Sequence, residues 1–218
     1  EIMKKIILLL YIGFLVSCSD NEENEKEIKK SIFVLGNSIT YSPQGGEWQG
    51  NWGMAATAPD KDFCGILSKH YDLDRKNIAI WENDFFCAEE HYKIVTDKHY
   101  DYIIIKIGEN VSDISNFKIE LQKLTEFYRN FGNKIILVTT VWKQYSFDNQ
   151  GNPYEVPSDK ERIIREIANE NNYILVDIYE MTNSSNYYAW GEYLNSAIGS
   201  HPNDLGMEYI AAKIKEKL

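Results

Sequence analysis

The chain has 218 residues, 44% of them hydrophobic and 26% charged, which is enough for one sizeable core in one domain or two small ones. Its formal net charge of -10 at pH 7 argues against a nucleic-acid partner, because phosphate binding requires clustered lysines and arginines. The cysteines Cys18, Cys64 and Cys87 match no zinc-site spacing, so we expect no metal centre, and we expect Cys64 and Cys87 to be two separate thiols although they could pair.

The N-terminal segment is typical of an export signal. Met3, Lys4 and Lys5 are followed by the apolar run from Ile6 to Val16, which is too short for a confident membrane-spanning helix. The run ends in Ser17-Cys18, which resembles a bacterial lipoprotein signal with a lipidated cysteine. We therefore predict an exported protein of the bacterial cell envelope that contacts the membrane only through lipid on Cys18. A plain secretory signal and a short membrane anchor are the alternatives.

After the predicted signal at residues 1–18, residues 19–30 are polar and charge-rich, which predicts a disordered tether. Residues 31–218 then alternate short apolar runs with amphipathic segments. The runs predict strands, and the amphipathic segments predict helices. The predicted strands are Ile32 to Leu35, Asn77 to Trp81, Tyr102 to Ile107, Lys134 to Val141 and Tyr173 to Ile178. The predicted helices are Lys61 to Tyr71, Ala88 to Lys98, Phe117 to Phe131, Ser158 to Asn171 and Asp204 to Lys217. This alternation predicts a three-layer α/β/α sandwich around a parallel five-stranded sheet.

Ser38 follows the first predicted strand, after a glycine that lets the backbone turn. Residues in this position lie at the carboxyl edge of the sheet, where open α/β folds bind ligands. A serine there is commonly a turn or helix-capping residue. It is also a candidate nucleophile if a base and an oxyanion hole lie nearby.

Two further breaks carry polar residues that suit such a site. Gly108-Glu109-Asn110 follows the predicted strand from Tyr102, and an asparagine amide is a good neutral donor to an oxyanion. His201 lies in a loop ahead of the final helix, and Pro202 restricts the direction of that loop. Asn110 could instead cap a turn or a helix, and His201 could be an incidental loop residue. Together with Ser38, however, they predict one crevice.

The residues at these breaks resemble conserved blocks of the SGNH/GDSL hydrolase family. Phe33 to Thr40 resembles the first block, Gly108 to Asn110 the third and Ser200 to Pro202 the fifth, and the similarity covers essentially residues 31–218. The resemblance implies a flavodoxin-like fold and ester hydrolysis without a metal or organic cofactor. It also implies that Ser38 is the nucleophile, that His201 is the base, and that the Ser38 N–H and the Asn110 amide hold the oxyanion.

Three positions depart from the family pattern, one of which is Val111, in place of the aspartate that often follows the third-block asparagine. The second block normally has a glycine after the second strand, whose N–H completes the oxyanion hole; here Glu82 falls at about that place, so its backbone N–H is the predicted donor. The family normally has an acid three residues before the histidine, where this chain has Ile198. His201 would then act in a Ser-His dyad, or be oriented by a backbone carbonyl near Ile198 or by an acid such as Glu82 or Glu192.

Two aromatic segments suggest a carbohydrate substrate. Trp48 and Trp52, in the long loop after Ser38, could form a platform for a sugar ring, or they could merely cap the core. The segment from Tyr179 to Gly199 suggests a second aromatic wall, in which Trp190 is a predicted substrate contact. Its other aromatic residues are Tyr187, Tyr188 and Tyr193.

These observations predict a serine esterase that acts on acyl groups, acetyl above all, of a small-molecule or polysaccharide ester. The main alternative is a catalytically weak or inactive member that binds glycans in the same crevice, favoured by the missing acid and the missing glycine. A lipase or lysophospholipase is a third candidate, but it would require an aliphatic cleft rather than tyrosine and tryptophan.

Overall fold

The computed structural model describes residues 29–83, 92–94, 96–147, 149–150, 153–156 and 158–218. The strands are β1 (Ser31–Gly36), β2 (Asp72–Asn77), β3 (Tyr100–Lys106), β4 (Gly132–Val138), β5 (Gln144–Phe147), β6 (Pro153–Val156) and β7 (Ile174–Val176). The α-helices are α1 (Phe63–Ser68), α2 (Ala79–Asn83), α3 (Ile114–Tyr128), α4 (Asp159–Glu170), α5 (Ser196–Gly199) and α6 (Asp204–Lys215). Two short 3₁₀ helices, Tyr179–Asn183 and Ser185–Tyr187, follow β7.

The main sheet has five strands in the order β2-β1-β3-β4-β7, and all its pairings are parallel. Counting only these strands, the order is 2-1-3-4-5, which is the flavodoxin-like arrangement. The predicted parallel five-stranded sheet is therefore confirmed. β1 and β3 are neighbours, with Gly36 opposite Lys106, so the loops that follow these two strands begin side by side.

The sheet is covered on both faces, as its apolar strands predict. Successive side chains of a strand point to opposite faces. Ile32 and Val34 of β1 pack with residues of α1 and α6, whereas Phe33 and Leu35 pack with residues of α2, α3 and α4. One core lies between each face of the sheet and the helices that cover it, which makes a three-layer α/β/α sandwich.

The second strand was predicted in the wrong place. β2 ends at Asn77, where the predicted strand begins, and Ala79–Asn83 form α2 instead. β2 is an edge strand with one neighbour and carries mostly polar side chains, so the apolar signal came from Ile78 and Trp81, which reach the core from the turn and helix that follow.

Two other segments differ from the prediction. The predicted helix from Ala88 to Lys98 lies partly outside the described residues, and residues 92–94 and 96–98 within it are not helical. β4 ends at Val138, and the chain after it forms an antiparallel hairpin, β5–β6, that the sequence did not indicate. Short strands without strong alternation of apolar residues give little periodic signal.

Candidate active site

Ser38 and His201 meet at the carboxyl edge of the sheet. The Ser38 Oγ atom lies 2.7 Å from His201 Nε2, and the other ring nitrogen, Nδ1, lies 2.7 Å from the carbonyl oxygen of Ala197. A carbonyl oxygen can only accept, so Nδ1 carries the ring hydrogen and Nε2 is free to accept the proton of the serine hydroxyl. The structure therefore joins the predicted nucleophile and base, and a backbone carbonyl next to Ile198 orients the base.

His201 is buried, with 6% of its surface exposed. Burial lowers the pKa of the imidazole below its ordinary value of 6.5, although the hydrogen bond to Ala197 opposes this shift. The ring is therefore neutral near pH 7, as a general base must be.

The turn that carries Ser38 is shaped by its neighbours. The Asn37 side-chain oxygen accepts from the Ile39 N–H at 3.1 Å, and the Asn37 carbonyl accepts from the Thr40 N–H at 2.9 Å. A Cβ atom at Gly36 would collide with the Thr40 side chain, so only glycine allows this close approach. No hydrogen bond joins the Ser38 N–H to another described residue, which leaves this donor available to an oxyanion.

The long loop after Ser38 is fastened to the same turn. The Met54 N–H donates to the Ser38 carbonyl at 2.8 Å, and the neighbouring Gly53 N–H donates to the buried carboxylate of Asp62 at 2.7 Å. Asp62 also forms an ion pair with Arg75 at 2.5 Å. These contacts hold the nucleophile turn between the loop, the start of α1 and β2.

Asn110 lies in the loop after β3, where Gly108 has a φ of 122° that favours glycine. Its side chain is half-buried, and its Nδ2 group donates to Glu82 Oε2 at 3.0 Å. The amide nitrogen has a second hydrogen, so Asn110 retains a donor for an oxyanion.

Glu82 lies in the first turn of α2, and the use of its backbone N–H as an oxyanion donor stays a prediction. Its buried side chain accepts from the Gly108 N–H at 2.5 Å and from Asn110. The residue at about the place of the second-block glycine thus contributes a carboxyl group that bonds the loop carrying Asn110.

A buried ion pair under the site was missed by the sequence reasoning. The Lys106 and Glu109 side chains are fully buried and paired with each other. Glu109 also accepts from Asn37 Nδ2 at 2.8 Å and from the Val141 N–H at 3.1 Å. It therefore ties the serine turn to the loop after β4. A lysine at the end of an apolar strand with a glutamate three residues later is the signal that could have revealed it.

The two buried glutamates differ in charge state. Burial raises the pKa of Glu82 to about 7, helped by the nearby Glu109 carboxylate, and the bonds from Gly108 and Asn110 offset only part of this shift. Burial acts on Glu109 in the same direction, but the Lys106 ammonium outweighs it and holds the pKa of Glu109 below its ordinary value. Glu109 is thus ionised at neutral pH, whereas Glu82 titrates there.

A pocket of about 440 Å³ lies near the histidine, and its lining includes Trp142 and Ser200 but not Ser38, Asn110 or His201. The Trp142 ring packs edge-on against His201 with 5.7 Å between ring centroids, and its indole N–H donates to the Ser200 carbonyl at 2.9 Å. Trp190 is 53% exposed and lines the pocket together with Tyr188. Its further lining residues are Val141, Lys143, Thr182 and Ser185.

The first predicted aromatic platform is not present as such. Trp48 is only 3% exposed, packs in a small core with Ile198, and donates its indole N–H to the Ser42 carbonyl at 3.1 Å. Trp52 is partly buried, packs edge-on against Trp48 and donates to the Ala56 carbonyl at 2.7 Å. Both indole N–H groups are used internally, so the alternative that these tryptophans cap the core is correct for Trp48.

The second predicted aromatic wall is divided. Tyr188 and Trp190 line the pocket, but Tyr187 packs on Tyr209 with 5.1 Å between ring centroids and Tyr193 packs on Trp48.

Cys18 and Cys87 lie outside the described residues, and Cys64 is a buried free thiol. None of the helices in the described part of the chain is long and apolar enough to cross a membrane.

Scans against protein-family models and curated proteins found no match. Solved structures do match. The salicylyl-acyltransferase SsfX3 from a tetracycline biosynthetic pathway has a TM-score of 0.60 at 15% identity, over 88% of this chain and 55% of that one. A catalytic mutant of an acetylxylan esterase from Geobacillus stearothermophilus has a TM-score of 0.52 at 17% identity, over 87% and 94%. A protein from Lactobacillus plantarum has a TM-score of 0.54 at 16% identity, over 88% and 97%.

The likeness extends over 87% and 88% of this chain, which includes most of the described sandwich. The chain has an SGNH/GDSL-type hydrolase fold. The chain spans only 55% and 56% of the length of the first two matched structures, so those proteins contain substantial further regions. At these identities the likeness shows the fold alone.

Proposed function

We propose that this protein is a serine esterase that hydrolyses acyl esters, with acetyl groups on carbohydrate as its substrates. The observation that carries the proposal is the 2.7 Å contact between Ser38 Oγ and His201 Nε2, with Nδ1 bonded to the Ala197 carbonyl. A serine hydroxyl in contact with the unprotonated nitrogen of a buried, neutral imidazole is the arrangement that activates a nucleophile.

The reaction follows from this geometry. His201 Nε2 takes the hydroxyl proton as Ser38 Oγ attacks the ester carbonyl carbon. The resulting imidazolium gives that proton to the leaving alcohol when the carbon–oxygen bond breaks, which leaves an acyl group on Ser38. A water molecule, activated by the same imidazole, then releases the acid and restores the serine.

The developing oxyanion has two donors in this proposal. The backbone N–H of Ser38 has no partner among the described residues, and the Asn110 amide has one hydrogen beyond the one it gives to Glu82. Losing one such donor typically costs about a hundred- to thousandfold in turnover.

The pocket beside His201 supports a sugar as the leaving alcohol. Because the imidazolium protonates the leaving group, the alcohol must lie near the histidine. The pocket is lined by Trp142, Tyr188 and Trp190, and Trp142 also packs on the histidine ring. Aromatic rings provide flat apolar surfaces for the apolar face of a sugar. One structural neighbour is an acetylxylan esterase, which agrees with an acetylated carbohydrate.

The lipoprotein signal is part of the same proposal. Lipid on Cys18 would hold the domain at the bacterial membrane through residues 19–30, where it meets extracytoplasmic glycans.

The glycan-binding alternative keeps one observation in its favour, namely that His201 is oriented by a carbonyl rather than by a carboxylate. An imidazolium without an anionic partner is less stabilised, which would slow or abolish catalysis. Turnover decides between the two functions.

The test uses purified protein with nitrophenyl acetate and acetylated polysaccharide. We expect ester hydrolysis that is lost in Ser38→Ala and retained in the control Ser68→Ala, whose hydroxyl lies on the exposed side of α1 and bonds the Gly65 carbonyl. Hydrolysis that persists undiminished in Ser38→Ala would refute the nucleophile assignment. Absence of hydrolysis together with binding of acetylated polysaccharide would establish the glycan-binding alternative.

A further inference from the structure

The loop that carries Asn110 rests on the carboxyl group of Glu82, which neither the family pattern nor the serine chemistry requires. Glu82 is 1% exposed and lies in α2, outside the three loops that carry Ser38, Asn110 and His201. One carboxyl oxygen accepts from the Gly108 N–H at 2.5 Å, and the other accepts from Asn110 Nδ2 at 3.0 Å. Both of these donors belong to the loop after β3, and the Asn37 side chain of the serine turn also interacts with the carboxyl group and lowers its pKa.

We propose that Glu82 is a positioning residue that holds the Asn110 amide nitrogen toward the oxyanion by accepting from Asn110 and from the Gly108 peptide. This inference rests on the proposed esterase function for its kinetic consequences.

Two features at Gly108 concern the conformation and position of the loop that carries Asn110. Gly108 has a φ of 122°, a backbone conformation that glycine adopts and other residues rarely do. A Cβ at this position would press on Thr140 and Ile164, which places the loop firmly against the end of β4 and α4. The Glu82 carboxyl group accepts from the N–H of the same residue.

The bond to Asn110 selects the orientation of the amide. An ionised carboxylate only accepts, so the atom of Asn110 that faces Glu82 must be the nitrogen. A protonated carboxyl can donate to the amide oxygen instead, which would turn the nitrogen away. The orientation of the donor therefore depends on whether Glu82 is ionised.

The surroundings of Glu82 place this change near neutral pH. Among the described residues, the charged groups that act on it are Glu109, from the same loop, which raises its pKa, and Lys160 from α4, whose ammonium donates to the Glu109 carbonyl at 2.9 Å. Lys106 is paired with Glu109. Asn37 of the serine turn donates to Glu109, whose charge is fixed by that lysine, and it also interacts with Glu82 and lowers the pKa of Glu82.

The kinetic test is a double-mutant cycle of Glu82→Gln and Asn110→Ala in the full chain, with nitrophenyl acetate. A glutamine offers one carbonyl acceptor where two donors must be met. We expect kcat to fall about ten- to hundredfold with KM unchanged, less than the hundred- to thousandfold cost of losing an oxyanion donor outright. In the Asn110→Ala background, Glu82→Gln should cause no further loss.

The control is Glu161→Gln, which removes another buried glutamate of raised pKa that lies in α4 beside Arg165. Its kcat should equal that of the wild type. An equal loss from Glu82→Gln in both Asn110 backgrounds would overturn the proposal, because Glu82 would then act independently of the amide.

A second measurement does not depend on turnover. The side-chain NH₂ signal of Asn110, assigned by its absence in Asn110→Ala, should shift with pH around a midpoint near 7 in the wild type and should not titrate in Glu82→Gln. If the wild type shows no Ser38-dependent hydrolysis, the proposed function fails, and this titration alone judges Glu82. An Asn110 signal that is unaffected by pH and by Glu82→Gln would refute the positioning role.

Discussion

The Nδ1 nitrogen of His201 lies 2.7 Å from the carbonyl oxygen of Ala197, so a backbone group takes the place of the acid in a serine–histidine–acid triad. The carbonyl fixes the required tautomer, because it can only accept. It offers a dipole rather than a full charge to the imidazolium, however. We therefore expect turnover below that of enzymes with a complete triad.

Restoring an acid at the family position should not raise the proposed esterase activity. Ile198 is buried against Trp48 and Ala189, and the Ala197 carbonyl already occupies Nδ1. We expect Ile198→Asp to lower the free energy of unfolding by about 2–5 kcal/mol, as burial of an unpaired polar group does, without raising kcat. Urea denaturation and ester kinetics would check this, with Ile198→Val as the control. A higher kcat at unchanged stability would contradict it.

The pH profile should separate Glu82 from His201. Activity requires a neutral His201, whose pKa lies below 6.5, and an ionised Glu82, whose pKa is about 7. The acid limb of kcat/KM in the wild type should therefore lie near pH 7, where Glu82 gains its proton. In Glu82→Gln only His201 remains, so the limb should move below pH 6.5, and an unmoved limb would show that Glu82 does not control the rate.

The same titration should appear in stability. The pKa of Glu82 is raised from 4.5 to about 7 in the folded protein, so the folded state holds its proton more tightly than the unfolded state. This stabilisation is complete below pH 4.5 and is lost as pH rises through 7. The free energy of unfolding of the wild type should therefore fall between pH 4.5 and 7 relative to that of Glu82→Gln. Parallel denaturation curves of the two proteins across this range would contradict the assignment.

The sequence predicted the sandwich and the meeting of Ser38 with His201, because apolar strands covered on both faces and glycine breaks at strand ends are local signals. It misplaced β2, since an edge strand with polar side chains has no such signal. It also misjudged Trp48. Whether an aromatic residue in a loop faces solvent or fills a small core depends on distant residues such as Ile198, and no local pattern records this.

The buried polar contacts were missed for a related reason. Glu82, Lys106 and Glu109 look like ordinary surface charges, since such residues are almost never fully buried unless paired. Their burial follows from the way α2 and the loop after β3 pack together.

The Lys106–Glu109 pair should be costly to break. Both side chains are fully buried, and Glu109 also holds Asn37 and the Val141 N–H. We expect Glu109→Gln to lower the free energy of unfolding by about 3–5 kcal/mol, because it leaves the Lys106 ammonium buried without a counter-charge. The double variant Lys106→Met/Glu109→Gln should be less destabilised than Glu109→Gln alone. Urea titrations measure both, and a double variant that is destabilised further would show that the charge of Lys106 is not the cause.

Alanine substitution of three tryptophans near the site should have three different effects, on KM, on kcat and on stability. Trp190 lines the pocket and is half exposed, so Trp190→Ala should raise KM for acetylated oligosaccharide severalfold and leave nitrophenyl acetate kinetics unchanged. Trp142 packs on the His201 ring, so Trp142→Ala should lower kcat for both substrates. Trp48 is buried in the small core, so Trp48→Ala should lower the free energy of unfolding by about 3–5 kcal/mol.

Steady-state kinetics with the two substrates and urea denaturation of the three variants distinguish these classes. The comparison is informative because nitrophenol is too small to require the whole pocket, whereas a sugar leaving group would fill it next to His201. Equal effects of Trp190→Ala on both substrates would refute the placement of the leaving alcohol in this pocket, since the pocket would then serve the acyl group or the serine–histidine pair that both reactions share.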